Sequence, residues 1–322
     1  MIDHPRVTVV IPTYRRPDFL ERAIASVTSQ TLSSWELLVV DDNDPDSPER
    51  RDTEAIVQRF TSEPRLRYLR HEQNRGGGAA RNTGIHAAKG PFIAFLDDDD
   101  EWHPEKLARQ LAIIEDAPPK LVLVYCRVRV VVAVTGREHL SRTDGRSHSV
   151  RDLLVRNTIG TTSCVLCRTN ALRDIGGFDE ALPARQDQDL YLRLARRHEF
   201  GFVDAVLVTL YVHGRASIST DAANAIRAHE LFAQKYRDLI EADPTTVKAL
   251  LHQQGKYLIA AERFGEARAV LMRAWRSDPY DVEVFARLAQ TFALPRGLLR
   301  TAKWALRSVP MLVRRAILFR RT

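Results

Sequence analysis

The stretch Phe92-Ile93-Ala94-Phe95-Leu96-Asp97-Asp98-Asp99-Asp100 decides how the chain is organised. Its apolar half reads as a buried strand, and the carboxylates that end it lie at one edge of the sheet containing that strand. Back toward the N-terminus, short β-branched runs alternate with helical patterns: Val7 to Pro12, then Phe19 to Ser29; Glu36 to Val40, then Glu54 to Phe60; Leu66 to Leu69, then Ala79 to Ala88. This β-α-β-α-β-α-β order predicts an α/β fold with a mostly parallel central sheet, covered on both faces, whose ligands sit beyond the carboxyl ends of the strands. Those ends carry Pro12-Thr13-Tyr14, Asp41-Asp42-Asn43-Asp44 and the aspartate tetrad. Carboxylates therefore converge on one edge.

Toward the C-terminus a helix is predicted over Pro104 to Glu115, followed by a mostly apolar run from Leu121 to Val134. That run is too short, and with Arg127 and Arg129 too charged, to cross a bilayer. Arg137 to Ser149 reads as a loop, Gly160 to Arg168 as a strand, and Gly176-Gly177-Phe178-Asp179 as a turn. From Asp221 onward helical patterns take over, dividing the chain into a first domain over 1–220 and an all-α second domain over 221–322. Relative to Gly255, small or apolar residues recur at Ala267, Leu271 and Ala274, with Pro279 beyond, and the phase resumes at Phe285, Leu288, Ala289 and Phe292. This spacing resembles one and a half tetratricopeptide repeats, with Gln254 and Leu258 departing from the pattern. Fewer than three repeats need packing against something else, and an ordinary helical bundle is the alternative.

A length of 322 residues suits two domains, and 44% hydrophobic with 28% charged residues is the composition of a folded globular chain. The net charge of +7 is unevenly placed: nine basic residues and no acidic ones fall between Val284 and Thr322, which leaves −2 for the remainder. Basicity thus concerns the tail's partner rather than the catalytic region. Apolar clusters such as Leu298-Leu299 and Ile317-Leu318-Phe319 interleave with those charges, the pattern of a segment lying peripherally on an anionic membrane face, although Pro310 interrupts it. A solvated cationic face is the competing reading. The first apolar run, Val7 to Ile11, is short and soon followed by Arg15-Arg16, which is not a signal-peptide pattern, so a cytoplasmic location is expected, with the tail at the inner membrane face. Cys164 and Cys167 have C-x-x-C spacing but no second Cys or His pair at zinc spacing, so they read as strand residues.

Four adjacent aspartates repel one another unless a cation offsets them, and hard carboxylate oxygens suit Mn²⁺ or Mg²⁺ bridging to substrate phosphates. On extended chain Asp97 and Asp99 would address one ligand and Asp98 another direction. A solvated turn capping the next helix is the alternative. Asp42 beside the ring of Tyr14 can accept from a base imide while the ring stacks, although Asp41 to Asp44 could equally form Asx-turns. Asn74-Arg75-Gly76-Gly77-Gly78 leads into a helix that carries Arg81, an arrangement able to offer N–H groups and a guanidinium to phosphate, yet it matches neither G-x-G-x-x-G nor a P-loop.

Taken together, Val7-Thr8-Val9-Val10-Ile11-Pro12-Thr13-Tyr14, Val39-Val40-Asp41-Asp42-Asn43, Gly78-Ala79-Ala80-Arg81-Asn82-Thr83-Gly84, Phe95 to Trp102, Gly176 to Asp179 and Gln186 to Arg193 resemble, in order, the family 2 glycosyltransferases with the GT-A fold. The resemblance covers roughly residues 6–220. It implies an inverting, metal-dependent transfer of a sugar from a nucleotide diphosphate donor, UDP-linked by expectation, to an acceptor hydroxyl in cell-surface polysaccharide or glycolipid synthesis. The acceptor would be a glycan or lipid-linked molecule, and nucleic acid is not expected as a partner. By position, Pro12, Thr13, Tyr14 and Asp42 would hold the nucleoside, Arg81 would lie near the acidic cluster and the diphosphate, Asp98 would belong to the nucleotide-sugar site, Asp97 would face the ribose or sugar, and Asp99 would take the metal. Asp187 would be the general base, with Gln186 where the family commonly has Glu. A carboxylate there can take the acceptor proton as the new bond forms; otherwise it is an N-cap, a role that Asp189 fits better. His213 could reach the metal or diphosphate, or be purely structural.

Two other functions have similar requirements. A nucleotidyltransferase expects a glycine-rich loop after the first strand, where Pro12-Thr13-Tyr14-Arg15-Arg16 has none, and a non-catalytic sugar-nucleotide scaffold expects loss of Asp99 or Asp187, both of which are present.

Overall fold

The structure, a computed structural model, describes residues 4–141, 143, 145, 148–213 and 222–292. The chain forms two compact units, Met1–Ala216 and Ser217–Thr322.

In the first unit the elements alternate as β1 (Val7–Thr13), α1 (Pro17–Thr28), β2 (Trp35–Asp41), α2 (Pro48–Gln58), β3 (Leu66–Arg70), α3 (Gly77–Ala87) and β4 (Phe92–Phe95). There follow β5 (Glu101–Trp102), α4 (Lys106–Ile114), β6 (Leu121–Val132), β7 (Arg137–Leu140), α5 (Val150–Val155), a 3-10 turn (Thr162–Cys164), β8 (Val165–Arg168), α6 (Thr169–Asp174), α7 (Gln186–Ala195) and β9 (Glu199–Val212). One sheet runs β3-β2-β1-β4-β8-β6-β9-β5, with β7 on β6. The half built from the N-terminal repeat is parallel, and the polarity reverses where β8 joins β4 antiparallel. β1, β2 and β4 are buried along their whole lengths, as strands covered on both faces must be. Gly84 lets α3 lie close on β1: a Cβ there would fall 2.5 Å from the Val10 methyls.

Registers align the functional edge. Thr13 is opposite Asp41 and Val10 opposite Phe95, so the residues just past β1, β2 and β4 emerge together at the switch point between β1 and β4. Arg137–Leu140, expected within a loop, instead forms β7: Arg129 to Val132 pair with β9 on one side, and the chain folds back through residues 133–136 onto their other edge as a hairpin. The half-strand Thr162 to Cys164 is a 3-10 turn, while Cys164 and Cys167 are buried free thiols of the core.

The second unit comprises α8 (Ala222–Lys235), α9 (Arg237–Glu241), α10 (Pro244–Ala260), α11 (Phe264–Ser277) and α12 (Val282–Gln290). Asp243 caps α10 and Asp281 caps α12, each accepting from backbone N–H groups in the first turn. Gly255 admits the Leu271 side chain, with which a Cβ would collide at 2.4 Å, so α10 and α11 pack closely. Ala267, Leu271 and Ala274 are buried, whereas Phe285 and Phe292 are exposed. The basic amphipathic tail expected beyond Phe292 lies outside the described residues. No helix among the described residues is long and apolar enough to cross a membrane.

Candidate active site

Three loops and one helix terminus meet beyond β1, β2 and β4. After β1 the chain turns through Arg15, whose φ of 56° is left-handed and whose N–H donates to Asn43 Oδ1 at 2.7 Å. This turn presents the Tyr14 ring to solvent with the Arg15 guanidinium 5.0 Å from its centroid. Thr13 is buried beside it.

At the end of β2 the two aspartates serve the fold. Asp41 accepts from Asn43 and Tyr68, with Arg50 3.6 Å away; burial pushes its carboxyl above the usual range, against the opposing effect of those partners. Asp42, placed by sequence on the nucleoside, is itself buried. Its Oδ1 accepts from the Arg75 N–H at 2.8 Å and pairs with His71 Nδ1 at 2.7 Å, and its Oδ2 accepts from the Gly76 N–H at 2.7 Å. His71 Nε2 meets the Thr83 hydroxyl at 2.9 Å, so one carboxylate anchors β3, the glycine-rich loop and α3.

The aspartates after β4 have fewer donors. Strand geometry ends at Phe95, and the Asp100 N–H donates to the Asp97 carbonyl at 3.0 Å, closing a turn. The alternation expected of extended chain therefore fails: Asp98 and Asp99 face Arg16, at 3.6 and 2.5 Å, while Asp97 faces Arg81 at 2.5 Å. Asp97 also accepts from Thr161 and Thr162, and although burial works to raise its pKa, Arg81 and Thr162 bring it below the usual carboxylate range. Burial, then the neighbouring Asp99 charge, pushes Asp98 up to about 7 despite Arg16. Asp99 is raised by burial and by Asp97, with Arg16 and His213 opposing. Burial and the surrounding carboxylates hold Asp100 well above the ordinary range even though Ser163 donates to it at 2.6 Å.

Asp187 sits in the first turn of α7, half-buried, with Arg185 at the N-cap in a left-handed conformation. Its Oδ1 accepts from the Gln188 N–H and its Oδ2 from Asn157 Nδ2, both at 2.7 Å. Burial raises its pKa, and the Gln188 N–H, Arg81 and Asn157 work against that rise. Asp189 is not an N-cap: it lies inside α7, fully buried, and accepts from Arg193, which also donates to the carbonyls of Ile175 and Gly177. His213 stacks on Phe19 with centroids 4.0 Å apart and lies near enough to Asp99 to act on its charge.

Of the residues singled out in the sequence, Asp97, Asp98, Asp99, Arg81, Asp187 and His213 thus share one electrostatic neighbourhood. Sequence reasoning missed Arg16, Arg22, Asn157 and the Thr161-Thr162-Ser163 hydroxyls. Arg22 donates to the Asp99 carbonyl at 2.7 Å and stacks 3.9 Å from the Tyr211 centroid. An uncompensated tetrad of aspartates was itself a signal to look for arginines near a strand end; nothing in the sequence marks Asn157. Among the described residues no group of three or more His, Cys, Asp or Glu side chains is gathered to hold a metal ion by itself.

A Rossmann-like sheet whose switch point gathers carboxylates and arginines beyond β1 and β4 has the architecture of the GT-A-like α/β fold. The sequence pattern of glycosyl transferase family 2 matches residues 8–179, more than half of the chain, and the protein belongs to that family. It is a glycosyltransferase. An uncharacterized glycosyltransferase of Haemophilus influenzae is 28% identical over 239 residues, covering 73% of this chain and 78% of the relative. The putative colanic acid biosynthesis glycosyl transferase WcaA of Escherichia coli is 29% identical over 246 residues, covering 74% and 84%. In fold, S. aureus TarS 1-349 in complex with UDP-GlcNAc superposes with a TM-score of 0.62 at 18% identity, covering 89% of this chain and 88% of that one. The mannosyltransferase PcManGT from Pyrobaculum calidifontis, in complex with GDP-Man and Mn²⁺, gives 0.57 at 20% identity, covering 95% and 88%.

Proposed function

We propose that this enzyme transfers a sugar from a UDP-linked donor to a hydroxyl of a glycan or lipid-linked acceptor in cell-surface polysaccharide or glycolipid synthesis. The observation that carries the reading is the shortage of donors around Asp98, Asp99 and Asp100 at the switch point, with a base candidate, Asp187, that has its own supports and is linked to the same cluster through Arg81 and Asp97. The likeness to WcaA and to TarS in its UDP-GlcNAc complex supports the acceptor class and the nucleotide.

In this reading Pro12, Thr13 and Tyr14 flank the nucleoside, and Tyr14 stacks on the base. Asp42 acts by holding the glycine-rich loop in place, and Asp97, tied to Arg81, faces the ribose or sugar. Asp99 and, beside it, His213 would hold Mn²⁺ or Mg²⁺, hard dications suited to a protein carboxylate together with substrate phosphate. When bound, such an ion neutralises charge on the departing diphosphate. Asp187 takes the acceptor proton while the acceptor oxygen attacks the anomeric carbon from the face opposite the diphosphate, which inverts the configuration. Arg81, paired with Asp97 and acting on Asp187, favours the ionised form of both carboxylates as negative charge builds nearby.

The α10–α11 pair, with its Gly255–Leu271 approach, acts as a tetratricopeptide-like platform, and the basic tail provides peripheral membrane contact. Release of nucleoside diphosphate from UDP-glucose, UDP-galactose, UDP-GlcNAc and GDP-mannose, with Mn²⁺ or EDTA, tests the central reading. Metal-dependent turnover of a UDP-sugar is expected; turnover of GDP-mannose alone, or of none, overturns the donor assignment.

A further inference from the structure

We infer that Asn157 is a positioning residue that fixes the Asp187 carboxylate for proton abstraction, and so sets the rate of the chemical step without touching the donor. This rests on Asp187 being the base, as proposed above.

Asn157 follows α5 and has an unusual division of labour. Its Oδ1 accepts from the N–H groups of Ile159 at 3.0 Å and Gly160 at 2.9 Å, an Asx-turn that shapes the loop. Its Nδ2 donates forward to the Gly160 carbonyl at 2.8 Å and across to Asp187 Oδ2 at 2.7 Å. One side-chain amide therefore builds the loop with its acceptor and reaches the base with its donor. The loop it builds continues into Thr161 and Thr162, whose hydroxyls meet Asp97, so base and sugar-facing aspartate are tied to one segment.

A carboxylate in an α-helix's first turn has several rotamers open to it, and proton transfer needs one of them held within hydrogen-bond reach of the acceptor oxygen. The Gln188 N–H engages Oδ1 and Asn157 engages Oδ2, which fixes the plane of the group while leaving each oxygen a further lone pair. The other titratable or charged groups acting on Asp187 are Arg81 from α3, Asp97 after β4, Cys164 in the 3-10 turn, and Tyr191 on α7 itself. Arg81 is a cation but is already committed to Asp97 and the Gly77 carbonyl, so Asn157 supplies the long-range donor bonded to Asp187 itself.

The side chain's two functions can be separated by one substitution. Asn157→Asp keeps an oxygen that accepts from Ile159 and Gly160, and replaces only the donor with a second carboxylate oxygen against Asp187. Two carboxylates at such a distance share a proton, which blocks the base until the pH is raised. The assay is diphosphate release, with water as acceptor, from whichever sugar nucleotide of the panel above is turned over fastest. Asn157→Asp should lower kcat roughly tenfold or more at pH 7, leave the donor KM within about twofold, and regain part of the deficit by about pH 8.5. Its melting temperature should stay close to the parent's. Asp187→Asn, run beside it, should lose roughly 10²-fold or more in kcat at every pH. Should Asn157→Asp fail to fold, Asn157→Ser, which keeps a turn acceptor but cannot span to Asp187, should show the kcat loss without recovery at high pH. A parent rate in the folded Asn157 variant beside a dead Asp187→Asn overturns the role of Asn157 alone; a parent rate in Asp187→Asn overturns the base assignment itself.

Discussion

The carboxylates that end β2 and those that end β4 lie at the same sheet edge, the first pair buried and the second set buried or partly so, yet they are provided for in opposite ways. Asp42 has an imidazole and two backbone N–H groups within 2.8 Å, and Asp189 on α7 has the Arg193 fork. Asp98, Asp99 and Asp100 share Arg16, with Thr13 beside Asp98, His213 near Asp99 and the Ser163 hydroxyl on Asp100, and all three are still pushed upward in pKa. A fold that needs an anion surrounds it with donors. A site awaiting a cation leaves its anions short of them, and accepts the resulting repulsion in the empty state.

That contrast predicts opposite signs for otherwise similar substitutions. Asp42→Ala strands three donors under a loop and should lower stability most, by about 3 kcal/mol, read as a loss in the urea midpoint. Asp189→Ala leaves Arg193 half-buried without its carboxylate, while the two carbonyls it also serves soften the loss, and should cost about 2 kcal/mol. Asp98→Asn should be modestly stabilising at pH 5 and more strongly so at pH 8 in EDTA. The parent Asp98 binds its proton up to about 7 when folded but only to about 3.9 when unfolded, so the stability present below that lower value is lost as pH rises toward 7. The variant has no proton to lose there, and its melting temperature should vary less over that range. A destabilising Asp98→Asn at pH 8 would erase the distinction between the two sets.

Much of this arrangement was legible in the sequence, for identifiable reasons. Buried β-branched strands with fixed alternation of helices specify the parallel half of the sheet, and a strand's carboxyl end locates Thr13, Asp42 and Asp97 without any knowledge of side-chain contacts. What escaped depends on the third dimension. The turn at Asp97 to Asp100 redirects Asp98 and Asp99 toward Arg16, which strand periodicity cannot anticipate once the strand has ended at Phe95. Asp189 fits an N-cap by its place before an apolar run, but α7 starts three residues earlier, at Gln186, because Arg185 takes the left-handed turn that opens it. β7 was missed because Arg137-Glu138-His139-Leu140 has no apolar face; an edge pairing with β6, not burial, makes it a strand. Asn157 carries no composition or spacing signal, since its partner is 30 residues away.

UDP titration calorimetry reads out whether the end of β4 is a cation-dependent diphosphate site. In the parent, Mn²⁺ should tighten UDP binding at least about tenfold over EDTA, a difference of about 1.4 kcal/mol, and Asp99→Asn should remove that difference while still folding. Equal UDP affinity in Mn²⁺ and in EDTA for the parent, or an undiminished Mn²⁺ effect in Asp99→Asn, would contradict it.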